Sequence, residues 1–142
     1  MTQITIELWR AYQSSVFLLT QALTPSIDFA IITAANPLGV PHLPGQNRLY
    51  DRQLQQDIDE LRVPYRRILG ASPDLSHVEA SWAVILPLAE ALDLGRRWQQ
   101  LAIYYVSGNR LGLFSCSDAN SRLDLGAFSE RVTLVNELPS YS

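Results

Sequence analysis

Phe29-Ala30-Ile31-Ile32-Thr33-Ala34-Ala35-Asn36-Pro37-Leu38-Gly39 runs from an apolar tetrad straight into a polar turn. Phe29, Ala30, Ile31 and Ile32 form the short apolar run that fills the middle of a sheet. The predicted strand spans Phe29–Ala34. Thr33 and Asn36 place hydrogen-bonding groups at its carboxyl end, where ligands settle in open α/β sheets. The stretch therefore predicts a sheet-based domain and marks one place for a site, without identifying an occupant.

On the amino-terminal side, Ile4, Leu8, Ala11 and Tyr12 recur at helical spacing and predict an N-terminal helix, although Ile4, Ile6 and Leu8 also alternate as a strand would. Ser14–Leu19 reads as a strand ended by the turn Thr24-Pro25-Ser26. On the carboxyl side, residues 36–45 contain Pro37, Pro41, Pro44, Gly39 and Gly45 and must be loop. Proline fixes φ, so this loop should be stiff for its length. Residues 46–61 form an amphipathic helix, with Tyr50, Leu54, Ile58 and Leu61 as its apolar stripe and Pro64 just past its end.

Strands are expected at Tyr65–Leu69 and Ala80–Leu86. A helix opens at Pro87 and carries Leu88, Ala91, Leu92 and Trp98, with Gly95 as a point where it could bend. Ser107-Gly108-Asn109 joins Leu101–Val106 and Arg110–Ser115 as a hairpin, and Arg131–Val135 adds a short edge strand. The predicted fold is α+β (mixed α/β). It is a single compact domain over residues 1–142, with a mixed sheet of about five to seven strands, two main helices and an N-terminal helix. The segment from about residue 136 is expected to be less ordered.

Composition narrows the function classes. Hydrophobic residues make up 47% of the 142 positions, enough for a core that needs no disulfide or metal staple. Cys116 is the lone cysteine, flanked by small polar residues with Phe114 nearby, and reads as a packed thiol. His42 and His77 have no ligand-like spacing, so no metal site is expected. All 11 basic residues are arginine, against 14 acidic ones, a net charge of −3. A phosphate-tracking surface needs a basic excess, so nucleic-acid binding is not expected. The absence of lysine removes Schiff-base chemistry and a Walker-type lysine. The prolines of Gly39–Gly45 withhold the N–H donors a phosphate-cradling loop uses, so no cofactor is expected. No apolar run spans a bilayer and Glu7 stands where a signal peptide would be apolar, which together predict a cytoplasmic protein that does not enter membranes.

Four places set polar groups beside apolar elements: Thr33/Asn36, Asn47/Arg48, Glu79/Ser81 and Gln100. Each has two readings. Asn36 before Pro37 is a common turn residue or an amide that reads a ligand. Asn47 is a helix N-cap or a ligand contact. Arg48 is a solvated helix residue or, near a helix start, an anion holder. Glu79 leads into an apolar strand, where a carboxylate is costly unless paired. It pairs with Arg48 or Arg66, or serves as a general base if burial raises its pKa. Ser81 shares its face of the strand. His77, Glu79 and Ser81 alternate along one strand and cannot converge on one proton path, which argues against a serine hydrolase. Gln100 satisfies backbone at a helix–strand junction or contacts a ligand.

The motifs Thr33-Ala34-Ala35-Asn36-Pro37, Asn47, Glu79-Ala80-Ser81 and Gln100-Leu101-Ala102 resemble the family catalogued as domain of unknown function 3293, a group of small bacterial proteins. That family's pattern has a T-A-x-N-P turn, an asparagine opening the next helix, an E-x-S strand entry and a Q-x-A strand entry. The resemblance covers roughly residues 12–115. Two departures stand out: Ala35 where the family usually has tryptophan, and Leu101 where asparagine is common. If that tryptophan lines a pocket, the pocket here is larger. The resemblance implies a shared fold and a shared site, but no reaction. The leading expectation is a domain that binds a small polar, nucleotide-like ligand through Thr33, Asn36, Asn47, Arg48, Ser81 and Gln100. The alternative is a protein-interaction or regulatory module without a pocket, and a third reading is an enzyme using Glu79 as general base.

Overall fold

A computed structural model describes residues 4–118 and 120–141. The elements run α1 (Ile6–Gln13), β1 (Val16–Leu19), β2 (Phe29–Ile32), a 3₁₀ turn (Pro37–Gly39), α2 (Pro44–Leu61), β3 (Tyr65–Ala71), β4 (Val78–Val84), α3 (Leu88–Arg97), β5 (Ala102–Ser107), β6 (Arg110–Ser115), β7 (Arg122–Ala127), a second 3₁₀ turn (Phe128–Arg131) and β8 (Val132–Leu134). The strands form one mixed sheet in the order β7-β6-β5-β2-β4-β3-β1-β8. Every neighbouring pair is antiparallel except β1 with β8.

The mixed α/β domain thus has eight strands among the described residues, one more than the expected upper figure. The additional strand is β7. Leu123, Leu125 and Ala127 alternate in it with Arg122, Asp124 and Gly126, a period-two pattern that marks a strand although its first three residues are exposed. Pairing with β6 and the Arg110–Asp124 ion pair across the two strands hold it in place.

Connectivity forces the sheet to curl. Laid flat, eight strands would separate the two edges by about 34 Å. The edge strands β7 and β8 are joined only by Phe128–Arg131, a link that reaches about 17 Å at most. The sheet therefore bends until its edges approach, and each strand gains a concave and a convex side.

Residue alternation assigns those sides. Ala30, Ile32, Trp82, Val84, Ile103 and Phe114 form the convex side, where Leu54 and Ile58 of α2 and Ala91, Leu92 and Leu94 of α3 cover them. Phe17, Leu19, Phe29, Ile31, Ile68, Val106 and Leu111 form the concave side, with Phe128 filling its middle. The Phe128 ring lies 5.6 Å from Phe17 and 5.3 Å from Phe29, centroid to centroid.

Helix boundaries follow local chemistry. α2 starts at Pro44, two residues earlier than predicted, because proline suits the first helical position; Gln46 Oε1 then accepts the Leu43 N–H at 3.1 Å. Leu61, expected in the apolar stripe, is 44% exposed at the helix end. Gly95 does not bend α3. A Cβ there would lie 2.8 Å from Ile103 Cγ2 and 3.0 Å from Cys116 Sγ, so the missing side chain lets α3 press onto the sheet.

Arg67 tethers α2 to the sheet. Its fork donates to both Asp51 oxygens at 2.9 and 2.6 Å, and its guanidinium lies 3.5 Å from the Trp82 ring centroid. No helix of the described residues is long and apolar enough to cross a membrane.

Candidate functional site

At one end of the concave side the strands diverge beneath α1 and leave a cavity of about 370 Å³. Phe17, Ile31, Tyr104 and Leu113 supply its apolar and aromatic floor, and Leu8, Ala11 and Tyr12 of α1 cover it. Gly70 pairs with both Glu79 and Phe17 in register, and its missing side chain leaves room beside them. The volume lies toward the lower end of the range for small-molecule sites, about 300–1,000 Å³.

The polar rim is built by two turns that lock together. Asn36 takes the left-handed conformation at φ 48°, as do Leu38 at 59°, Gly39 at 73° and Gln99 at 55°. Asparagine tolerates that region because its short side chain bonds locally. The Leu38 N–H donates to Gln99 O at 2.7 Å, which joins the turn after β2 to the turn before β5. Gln100 reinforces the junction: its Nε2 donates to Ala35 O at 3.1 Å and to Trp98 O at 3.2 Å.

Asn47 works from behind. It is buried one turn into α2, and its Oδ1 accepts the Asn36 N–H at 3.0 Å while its Nδ2 donates to Asn36 Oδ1 at 2.9 Å. Asn36 Oδ1 also accepts the His42 N–H at 2.9 Å. Asn47 is therefore neither a helix cap nor a cavity residue: Leu43 holds the cap position, and the side chain of Asn47 is spent on Asn36. Arg48 is exposed and does not line the cavity. On a helix, adjacent residues lie on different faces, so Asn47 and Arg48 could not both have faced inward.

The remaining candidates meet at the mouth. Thr33 lines it, but its hydroxyl donates to Ala80 O at 2.8 Å and accepts the Ala35 N–H at 3.1 Å, bracing the turn. Ser81 is 4% exposed, lines the cavity, and its Oγ has no hydrogen-bond partner among the described residues. Glu79 lines it too. Its neighbour is His77, with Nε2 3.5 Å from a Glu79 oxygen, rather than Arg48 or Arg66. Arg66 pairs in register with Ala83, four residues along β4 from Glu79, or about 13 Å away.

The Glu79 carboxylate leaves its mark on nearby groups. It holds the His77 pKa above its usual value, through a hydrogen bond and through charge. The Tyr12 phenol is pushed up to about 12, first by burial and then by the negative Glu79. Burial also raises the Tyr104 phenol, which donates to Tyr12 O at 2.5 Å and accepts from Ser15 Oγ at 2.8 Å. Through these bonds from β5, and Arg131 Nη1 of the second 3₁₀ turn to Gln13 O at 2.6 Å, the end of α1 is held over the cavity. Burial lifts the Cys116 thiol to about 11, which keeps it protonated and unreactive, as a packed thiol should be.

The carboxyl-end rule for open sheets does not describe this site. The cavity lies at the carboxyl end of β2 but at the amino ends of β4 and β5, because these neighbours run antiparallel. Tyr12, His77 and Tyr104 belong to the site and were not singled out for it. The usable signals were an amphipathic N-terminal helix with no assigned partner and the alternation that turns Tyr104 and Tyr105 to opposite sides of β5.

A second cavity of about 300 Å³ lies at the opposite end of the concave side, lined by Leu23, Pro25, Phe29 and Phe128 among others. Its Asn109 and Ser129 bond one another: Asn109 Nδ2 donates to Ser129 Oγ and the Ser129 N–H to Asn109 Oδ1, both at 3.1 Å. Among the described residues no group of three or more His, Cys, Asp or Glu side chains is placed to hold a metal ion.

Residues 32–103 match the family described as Protein of unknown function (DUF3293), a stretch that includes Thr33, Asn36, Asn47, Glu79, Ser81 and Gln100. Ala35 lines the cavity. No curated protein and no solved structure matches the chain. With half of its length matched, the chain belongs to the DUF3293 family of proteins of unknown function.

Proposed function

We propose that this domain binds one small, uncharged or amine-bearing polar molecule in the cavity beneath α1. One observation carries the reading: the cavity lining holds polar atoms that the protein leaves unused. Among the described residues, Asn36 Nδ2, Ser81 Oγ and Gln100 Oε1 have no hydrogen-bond partner, and Glu79 has only the exposed His77 beside it. Each of these atoms stays within reach of solvent, and several such unused groups lining one concave space favour a polar partner from outside. In the cavity at the other end Asn109 and Ser129 bond one another and fewer polar side chains line the space, so it does not invite the same reading.

The lining also narrows the nucleotide-like expectation. With Arg48 outside, the lining carries a carboxylate and no arginine, and His77 is already set against Glu79, so a phosphate finds no free counter-charge there. A nucleoside or another neutral heterocycle fits better than a nucleotide. Whether Glu79 does chemistry on the bound molecule is a separate question, answered by Glu79→Gln retaining binding and losing turnover.

Thermal-shift screening against neutral metabolites, amines and nucleosides tests the proposal. A compound at 100 times its Kd should stabilise the protein by about 2.7 kcal/mol. Asn36→Asp removes the donor yet suits the left-handed turn, and should abolish the shift. Shifts unchanged in Asn36→Asp, or no shift from any compound together with a protein partner recovered by pull-down, would favour an interaction module instead.

A further inference from the structure

The bonds made inside the rim decide which polar atom each amide offers. The Asn36 oxygen is identified by the His42 N–H that it accepts, since a backbone N–H can only donate. Asn47 confirms the assignment: its own oxygen must face the Asn36 N–H, so its amide nitrogen faces the Asn36 oxygen. What remains to Asn36 is its NH₂, a pure donor. Gln100 is fixed in the opposite sense. Its amide faces two backbone carbonyls, Ala35 O and Trp98 O, which can only accept, so its nitrogen is used and its oxygen is left. Gln100 binds the carbonyl that immediately precedes Asn36, so the free donor and the free acceptor belong to neighbouring groups.

Glu79 adds two further acceptor oxygens, and Ser81 can serve in either sense. Counting only the amide and carboxylate atoms, the rim offers one donor group, Asn36 NH₂, against the acceptor oxygens of Gln100 and Glu79, one of which His77 approaches at 3.5 Å. Tyr12, whose hydroxyl can donate, also lines the cavity. A ligand complementary to the amide and carboxylate atoms needs one acceptor beside several N–H donors. The rings of Phe17 and Tyr104, T-shaped at 5.1 Å, provide aromatic surface for a flat heterocycle below that rim.

Resting on the binding proposal above, we infer that the cavity recognises a 2-amino-4-oxopyrimidine edge, the carbonyl, ring N–H and exocyclic NH₂ borne by guanine and by pterins. The carbonyl accepts from Asn36 Nδ2. The ring N–H and amino group donate to the carboxylate of Glu79 and to Gln100 Oε1. Adenine inverts the pattern, offering an amino donor where the carbonyl should be, and hypoxanthine lacks the exocyclic donor.

Isothermal titration with guanosine, inosine, adenosine and pterin, on the wild type, Glu79→Gln and Asn36→Asp, tests the edge. Guanosine or pterin should bind, whichever source of the edge the cavity accommodates. Inosine should bind about 10–100-fold more weakly than guanosine, the usual consequence of leaving a buried acceptor unpaired, and adenosine should not bind. Glu79→Gln should erase the guanosine-over-inosine preference, and Asn36→Asp should abolish binding. Binding of adenosine or a simple amine that is lost in Asn36→Asp overturns the edge and leaves the cavity proposal standing. A guanosine-over-inosine preference that survives Glu79→Gln also overturns it. Failure of all four compounds overturns the edge, and only failure of the wider metabolite screen removes the cavity proposal as well. Circular dichroism melts of both variants separate lost binding from lost folding.

Discussion

Replacing Asn47 by alanine isolates the support behind the rim. The side chain makes two hydrogen bonds to Asn36, at 3.0 and 2.9 Å, and is 8% exposed. Each bond contributes about 1 kcal/mol net, and the stranded Asn36 N–H adds a desolvation cost of about 1 kcal/mol at the low end of its range. Alanine is the better helix former by about 0.6 kcal/mol, which offsets part of this. The expected loss is about 2 kcal/mol, or about 6–8 °C in Tm for a domain of this size. Urea unfolding followed by circular dichroism reads it directly. Asn47→Asp provides a second arm: it keeps the acceptor for the Asn36 N–H but sets a carboxylate against Asn36 Oδ1. That repulsion raises the folded pKa of the new aspartate. Relative to wild type, the variant should therefore be weakest at neutral pH and recover as pH falls toward about 4. A loss below about 0.5 kcal/mol for Asn47→Ala, the range of an ordinary surface substitution, would refute the supporting role.

Three further outcomes follow from other parts of the molecule. Gly70→Ala places a Cβ 3.9 Å from Ser81 Oγ, ordinary contact distance, so stability should hold or rise by about 0.5 kcal/mol. Gly70→Ile should fold and weaken binding of any ligand found by screening, because its branches enter the cavity. Gly95→Ala should destabilise by about 1–2 kcal/mol in urea unfolding despite alanine's higher helix propensity, since the added carbon overlaps Ile103 and Cys116; a gain in stability would show that α3 has slack. For His77 the folded pKa is raised, so the contribution of its contact with Glu79 is complete below the unfolded value of about 6.5 and fades as pH rises through the folded one. Tm measured across this window should fall less steeply in His77→Gln than in wild type. The effect should be small, because the His77 side chain is 67% exposed.

The element order was legible wherever apolar periodicity or proline punctuated the chain: α1, β2, α2, α3 and the β5–β6 hairpin lie within a few residues of their expected places. Edge strand β7 is absent from the expected set although Leu123 and Leu125 alternate with Arg122, Asp124 and Gly126, so its period-two signal was there to be read. The curl was not legible. It depends on which strands become edges and on how short the Phe128–Arg131 link is between them. Asn36, Glu79, Ser81 and Gln100 were visible as polar residues at the ends of apolar elements, and the fold brings them to one cavity. Asn47 and Arg48, adjacent in sequence, could not be separated without the helix rotation that buries one and exposes the other. The bonds that make Asn36 a donor and Gln100 an acceptor join residues up to 65 positions apart.

Side-chain amide resonances give the most direct test of whether the cavity beneath α1 is a binding site. Uniformly ¹⁵N-labelled protein, titrated with the strongest compound from the thermal-shift screen, should show its largest shifts at the Asn36 NH₂ and at the backbone amides of Glu79, Ser81 and Gln100. The Asn109 NH₂, in the cavity at the other end, should stay in place. Shifts centred on Asn109, Ser129 and Phe128, with Asn36 and Gln100 unmoved, would contradict the account.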